Sequence, residues 1–316
     1  MDKQKLIVII GPTAVGKTKL SIELAKRFDG EIISGDSAQI FKGMDIGTAK
    51  ISEDEAEGIP HHLIDEREAG ESYTVYEFKE AVQREIADIA SRGRIPIIVG
   101  GTGLYIQSVL YDYQFPETAA NPEIRAELEE KAETEGRDAL YATLKEIDPE
   151  AAEKIHPNNV KRVVRALEVY YTSGVRFSEQ QQSADKTENY DAAVIGLTME
   201  RDLLYSRINQ RVDIMMKAGL VDEVKRFYDR GLMETQSLQA IGYKEFNGYF
   251  EGKETIEQVS EAIKQNTRRF AKRQFTWFRN KMDVNWFDMS DIDHIDDKIE
   301  EISAYVAGML RLKANR

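Results

Sequence analysis

An apolar run, Leu6-Ile7-Val8-Ile9-Ile10, leads without a break into Gly11-Pro12-Thr13-Ala14-Val15-Gly16-Lys17-Thr18, and an amphipathic stretch follows at once. The eight residues fit G-x-x-x-x-G-K-[ST] in the strand, loop and helix setting that the motif's mechanics require. Glycines let the backbone curl until several N–H groups point inward, and the helix that follows adds the positive end of its dipole. Lys17 contributes a charge, and Thr18 offers a hydroxyl to Mg²⁺. The chain is therefore expected to fold as α/β around a phosphate cradle and to grip a di- or triphosphate. What carries the phosphate is open at this point, and ATP is one candidate.

Short β-branched runs at 6–10, 31–34, 95–99, 193–198 and 284–287 are separated by helical patterns. This predicts a P-loop core with a mostly parallel sheet flanked by helices. Between the third and fourth runs, residues 114–122 and the polar run 178–189 bracket a stretch without strand signals. The expected organisation is an α/β core of residues 1–115 and 190–316, with an all-helical insert of residues 116–189. Within the insert, 122–136, 137–148 and 159–173 show helical spacing, the last with Val160, Val163, Val164, Leu167, Val169 and Tyr170 as buried candidates. After the fourth strand, helices are expected over 201–219, 221–231, 237–249 and about 255–281, each ended or followed by glycine or a polar break.

A net charge of −13 argues against a polyanion partner if charge is averaged over the surface. Averages hide patches, however. Residues 262–282 contain no acid, while Lys264, Arg268, Arg269, Lys272, Arg273, Arg279 and Lys281 are interleaved with Phe270, Phe275, Trp277 and Phe278. Two readings stand side by side: a nucleic-acid-binding helix, or an amphipathic helix with core aromatics and solvated cations. Cysteine is absent, which excludes a disulfide framework and a thiol nucleophile and fits a reducing cytosol. No signal peptide or apolar run approaching twenty residues is visible. The expectation is a cytoplasmic monomer with no membrane association and no obligate protein partner.

Beyond the phosphate loop, Asp36 stands just past the second strand, at the carboxyl edge where open α/β sheets bind ligands. A carboxylate there can take a proton from a nucleophile or hold a metal; an Asx-turn or helix-cap role is the plain alternative. The third strand runs into Gly100-Gly101-Thr102-Gly103, where an ATPase would usually present the carboxylate that organises Mg²⁺ and water. The glycines count against ATP hydrolysis and leave room for a flat ligand near the backbone, or else they simply make a tight turn. Arg207 and Arg211 lie four apart in a helical stretch, so one of them could reach a leaving phosphate. Salt bridges to Glu200, Asp202 or Asp213 would account for them equally well. Adjacent His61 and His62 are read as a structured loop, not a metal site.

Several of these segments together, Gly11 to Thr18, Ser34-Gly35-Asp36-Ser37-Ala38-Gln39-Ile40-Phe41-Lys42-Gly43-Met44-Asp45-Ile46-Gly47-Thr48-Ala49-Lys50, Pro60-His61-His62-Leu63-Ile64-Asp65 and Val99-Gly100-Gly101-Thr102-Gly103-Leu104-Tyr105, resemble the bacterial tRNA dimethylallyltransferases. The likeness continues through Ile155-His156-Pro157-Asn158, Arg165-Ala166-Leu167-Glu168-Val169, Gly242-Tyr243 and Thr267-Arg268-Arg269-Phe270-Ala271-Lys272-Arg273-Gln274, so it spans nearly the whole chain. It departs mildly, with Phe41 where a tyrosine is common and Gly35 before the aspartate.

The resemblance implies transfer of a dimethylallyl group from dimethylallyl diphosphate to the exocyclic N6 amine of the adenosine 3′-adjacent to the anticodon, with release of diphosphate. It implies that the phosphate loop holds the donor's diphosphate, that Asp36 takes the amine proton, and that Arg211 stabilises the leaving diphosphate with Thr13, Lys17, Thr18 and Mg²⁺. The implied partner is the tRNA anticodon stem-loop, set between core and insert with its target base flipped into a channel. Contacts are expected from Asp36, Ser37, Ala38 and Gln39, from Thr102, from Arg125, from Lys161, Arg162, Val163, Val164 and Arg165, and from Gln239, Ala240, Ile241, Gly242, Tyr243 and Lys244. Two rivals remain: a small-molecule kinase on the same P-loop core, and an RNA-binding module without catalysis.

Overall fold

The computed structural model describes residues 3–111, 121–182 and 189–314. Its sheet contains β1 (Lys5–Ile10), β2 (Gly30–Ser34), β3 (His61–His62), β4 (Ile95–Gly100), β5 (Asp191–Thr198) and β6 (Asn285–Asp288), in the order β3-β2-β4-β1-β5-β6. Every pairing is parallel. The central strand β1 is apolar from Leu6 to Ile10 because both faces are covered, the usual state of a parallel strand. In register, Ile10 of β1 stands beside Gly100 of β4 and Gly196 of β5, which brings their carboxyl ends to one edge.

Around the sheet run α1 (Lys17–Phe28), α2 (Glu53–Ala56), α3 (Val75–Ser91) and α4 (Gly103–Leu110). The separate helical unit holds α5 (Pro122–Thr134), α6 (Arg137–Ile147), α7 (Pro149–Lys154), α8 (Val160–Ser173) and α9 (Phe177–Gln182). The sheet-bearing unit resumes with α10 (Arg201–Lys217), α11 (Leu220–Tyr228), α12 (Asn247–Phe250), α13 (Ile256–Lys281) and α14 (Ile295–Leu310). The chain divides into Met1–Leu110 with Glu188–Arg316 as one unit and Tyr111–Thr187 as the other. Each has its own apolar core, the second built on Leu128, Leu140, Leu144, Ile155, Val164 and Leu167. Residues 112–120, which hold the expected boundary after residue 115, and 183–188 of the polar run lie outside the described residues.

Two expectations are corrected. His61 and His62 form an edge strand, not a loop, pairing with Ile32 and Ile33. His62 bridges Glu31 at 2.7 Å and Glu85 at 3.0 Å. Glu31 is buried, and Arg92 above all, with His62 and Arg94, holds its carboxyl down to about 2. The single helix expected over 237–249 is instead a chain of short turns, Ser237–Gln239 and Lys244–Phe246, followed by α12. Gly242 breaks the helix with φ +97°, a left-handed backbone that glycine adopts at no steric cost.

Candidate active site

At the carboxyl ends of the strands the phosphate loop closes on itself. Gly11 and Gly16 take φ values of 150° and 108°, and Ala14 takes 66°. A left-handed alanine costs about 1–2 kcal/mol, and its carbonyl is held by Arg207, whose Nε donates to Ala14 O at 3.0 Å. Arg207 thus braces the loop and forms none of the salt bridges weighed for it. Lys17 Nζ donates to the carbonyls of Gly11 and Pro12 at 3.0 and 2.7 Å.

The loop borders a cavity of about 430 Å³, within the usual range for small-molecule sites. Thr13, Lys17 and Thr18 line it, while Gly11, Pro12, Ala14, Val15 and Gly16 shape the loop behind them. Asp36 and Arg211 face the same space, so the residues singled out for chemistry converge. The lining is also rich in hydrocarbon, with Ile51, Ile64, Ile208, Val212, Met215 and Phe270 among its residues. Burial, and then the Arg211 charge, push the Lys17 ammonium down to about 7, with Asp36 opposing. Burial and neighbouring Arg207 lower the pKa of Arg211 from its ordinary value.

Asp36 makes the Asx turn, its Oδ1 accepting the Ala38 N–H at 2.9 Å, and still faces the cavity. Burial raises its pKa despite that N–H and the Lys17 charge, which makes the carboxylate a stronger base. Ser37, Ala38, Gln39, Thr102, Gln239, Ala240, Ile241 and Gly242 line the same cavity. The Thr102 hydroxyl donates to Ser37 Oγ at 3.5 Å.

Other expected contacts fall differently. Tyr243 is fully buried and its hydroxyl donates to Glu223 at 2.6 Å, so its side chain is structural; Lys244 is exposed but does not line the cavity. In the helical unit, Val163 and Val164 are buried in the core and have no surface for RNA. Lys161 and Arg162 are exposed, whereas Arg125 and Arg165 both bond the buried carboxylate of Glu168.

The glycines after β4 do not leave room for a ligand on their Cβ sides. A Cβ at Gly100 would strike the Gly35 backbone, one at Gly101 the Gln274 amide, and one at Gly103 the Trp277 ring. Protein packing thus accounts for the missing Cβ at all three, while Gly100 and Gly101 still line the cavity. Gln274, buried on α13, was missed as a site residue: its Oε1 accepts the Thr13 N–H at 3.2 Å and its Nε2 donates to Gly101 O at 3.0 Å. A signal existed, since Ala271, Gln274 and Phe278 fall on one buried helical stripe where a polar residue needs a partner.

The 262–282 segment is amphipathic, and its exposed cations suit either reading. Lys264 pairs with Asp213 at 2.7 Å, and Phe278 is core. Arg269, Lys272, Arg273 and Arg279 are exposed, with Arg273 over the Phe270 ring at 5.7 Å and Arg279 over Trp286 at 5.7 Å. Among the described residues no helix is long and apolar enough to cross a membrane.

A family model described as IPP transferase matches residues 39–281. A tRNA dimethylallyltransferase of Bacillus pumilus is 57% identical over 312 residues, covering 99% of this chain and 98% of that one. The crystal structure of a full-length tRNA isopentenylpyrophosphate transferase from Bacillus halodurans is 50% identical, covers 98% of this chain and 97% of its own, and superposes with a TM-score of 0.75. A eukaryotic dimethylallyltransferase caught acting on tRNA is 33% identical, covers 99% of this chain and 81% of its own, and gives 0.84. The chain belongs to the IPP transferase family.

Proposed function

We propose that this chain transfers the dimethylallyl group of dimethylallyl diphosphate to the N6 amine of the adenosine 3′-adjacent to the anticodon, working as a monomer in the cytoplasm. One observation carries the reading: a single cavity is lined by two cations of the phosphate site (Lys17, Arg211), a basic carboxylate (Asp36) and many hydrocarbon side chains. A donor with a diphosphate head and a five-carbon tail matches that lining.

In the reaction the allylic carbon–oxygen bond breaks, a carbon–nitrogen bond forms to N6, the amine proton passes to Asp36, and diphosphate leaves. An amine on a purine is a poor nucleophile, so the carboxylate's alignment and proton removal matter. Lys17 and Arg211 stabilise the charge that gathers on the leaving oxygens. Among the described residues no three His, Asp or Glu side chains form a cluster that could hold a metal. The donor set, the exposed Thr18 hydroxyl with Asp36 nearby on the cavity, therefore suits an Mg²⁺ held largely by diphosphate oxygens, where it would neutralise charge. A kinase would have little use for that hydrocarbon. The test is incubation with unmodified tRNA, labelled dimethylallyl diphosphate and Mg²⁺: label is expected on that adenosine's N6. Unlabelled RNA, with the γ-phosphate of ATP passing to a small molecule instead, would replace the reading with the kinase.

A further inference from the structure

Glu223, on α11, is a buried carboxylate for which the chemistry above has no use. Its Oε2 accepts the N–H groups of Asp45 and Ile46 at 3.1 and 2.8 Å, and its Oε1 accepts the Gly47 N–H at 3.0 Å and the Tyr243 hydroxyl at 2.6 Å. Three successive N–H groups form an anion nest, filled here by the protein's own side chain. Gly47 has no space for a Cβ because the Tyr243 ring lies 2.5 Å from where it would stand. Both segments tied to Glu223 border the cavity, one through Gly47, Thr48 and Ala49, the other through Ala240, Ile241 and Gly242.

From the first segment a run of hydrogen bonds reaches the base. Thr48 O accepts from Gln39 Nε2 at 3.2 Å, Gln39 Oε1 accepts from the Ser34 hydroxyl at 2.9 Å, and Ser34 Oγ accepts the Asp36 N–H at 3.4 Å. The donors to Glu223 are thus spent on cavity walls and on nothing in the sheet.

We propose that Glu223 is a positioning residue: it fastens the 45–49 turn and the 239–243 segment in one register and thereby fixes where the acceptor amine meets Asp36. The phosphate loop is not part of this clamp, so donor binding should be spared when the clamp is loosened. Only the activity readout rests on the proposed prenyl transfer; the clamp itself has a separate test.

Glu223→Gln and Tyr243→Phe keep the side-chain volumes. In Glu223→Gln, with the amide nitrogen toward Tyr243, that hydroxyl can turn to accept, and the Gly47 N–H loses its partner. Tyr243→Phe removes the hydroxyl alone. Per folded molecule, kcat should fall about ten- to a hundredfold in Glu223→Gln, the penalty of ångström-scale misplacement, and less in Tyr243→Phe. KM for dimethylallyl diphosphate should stay within about twofold.

Amide hydrogen exchange should quicken at 45–49 and 239–243 together in both variants, with β1 and β4 unchanged. An unchanged kcat per folded molecule, a loss of kcat matched by donor KM, or quickening in one segment alone would each overturn the clamp. If the wild-type protein transfers no prenyl group, the proposed reaction fails and the exchange pattern alone decides the role of Glu223.

Discussion

Residues 11–18 and residues 34–50 border one cavity but hold their shapes by different means. The phosphate loop is largely self-made: glycines supply two of its three positive φ angles, and Lys17 ties back onto the loop's own carbonyls. The facing wall depends on partners far along the chain, with the N–H groups of Asp45, Ile46 and Gly47 ending on Glu223 some 176 to 178 residues away. A self-made loop can be read from adjacent residues, and damage to it should be local. A wall held at a distance can lose its register while every residue that lines it stays in place.

The largest expected effect tests the wall at its catalytic end. Asp36→Ala should lose turnover by roughly 10²–10⁴-fold, the range for a general base, with tRNA affinity nearly intact in a binding assay. Its pKa is raised, and the reaction needs the carboxylate, so the wild-type rate should climb with pH along a limb placed above the ordinary carboxylate range. The variant should lack that limb. Wild-type single-turnover rates in Asp36→Ala would remove the residue from the mechanism.

Next comes the loop. Lys17→Ala should sharply weaken donor binding and slow transfer, by less than the Asp36 loss, while RNA binding largely persists. In the wild type, burial and Arg211 hold Lys17 at about 7. A diphosphate favours the ammonium form, so donor affinity should weaken as pH rises through 7, and donor binding just above it should take up a proton. Calorimetry in buffers of different ionisation enthalpy measures that uptake. Binding without proton exchange at pH 8 would mean that Lys17 is charged before the donor arrives.

The contrast also explains what was legible beforehand. Strands β1 and β4 are plain because strands covered on both faces are written as near-continuous apolar runs, while β2 and β5 show shorter apolar stretches. His61–His62 is not plain, since a polar pair becomes a strand only by lying along Ile32 and Ile33. The glycines after β4 carry one signature for two purposes, and what decides between room for a ligand and room for Gly35, Gln274 and Trp277 lies far off in the chain. Spacing alone could not split Arg207 from Arg211 because both are used, one on the Ala14 carbonyl and the other on the cavity. No motif marks Glu223 among the chain's acids, although Leu220, Val224 and Phe227 place it on a buried helical stripe.

Gln274 offers a way to break the comparison, because it, like Arg207, is a distant residue on which the loop leans, 261 positions from Thr13. Gln274→Met keeps the volume and removes both hydrogen bonds, worth about 1–2 kcal/mol together and thus roughly tenfold in donor KM. Affinity for tRNA should not move. No change in donor KM would show a loop that keeps its shape without Gln274, sharpening the contrast; a loss as large as that of Lys17→Ala would erase it.

The smallest effect repeats the question in the helical unit, where cations alike in sequence do unlike work. Arg125 Nη2 donates to both oxygens of buried Glu168 at 3.0 and 2.9 Å, Arg165 adds a bond at 3.0 Å, and the Asn121 N–H adds another at 2.9 Å. These partners outweigh burial and keep the Glu168 carboxyl below its ordinary range. Arg125→Ala should therefore destabilise the helical unit by about 1–3 kcal/mol, short of the full cost of a stranded charge because Arg165 and Asn121 remain. A depressed carboxyl pKa stabilises above its unfolded value and loses that contribution as pH falls, so the deficit of Arg125→Ala should shrink in acid. Exposed Lys161 has no such tie, and Lys161→Ala should leave stability alone while reducing the salt slope of tRNA binding by about one. Hydrogen exchange in α5 and α8, measured beside tRNA affinity, separates the two residues. If Arg125→Ala weakens tRNA binding with protection in both helices intact, Arg125 acts on the RNA directly and its bond to Glu168 is incidental.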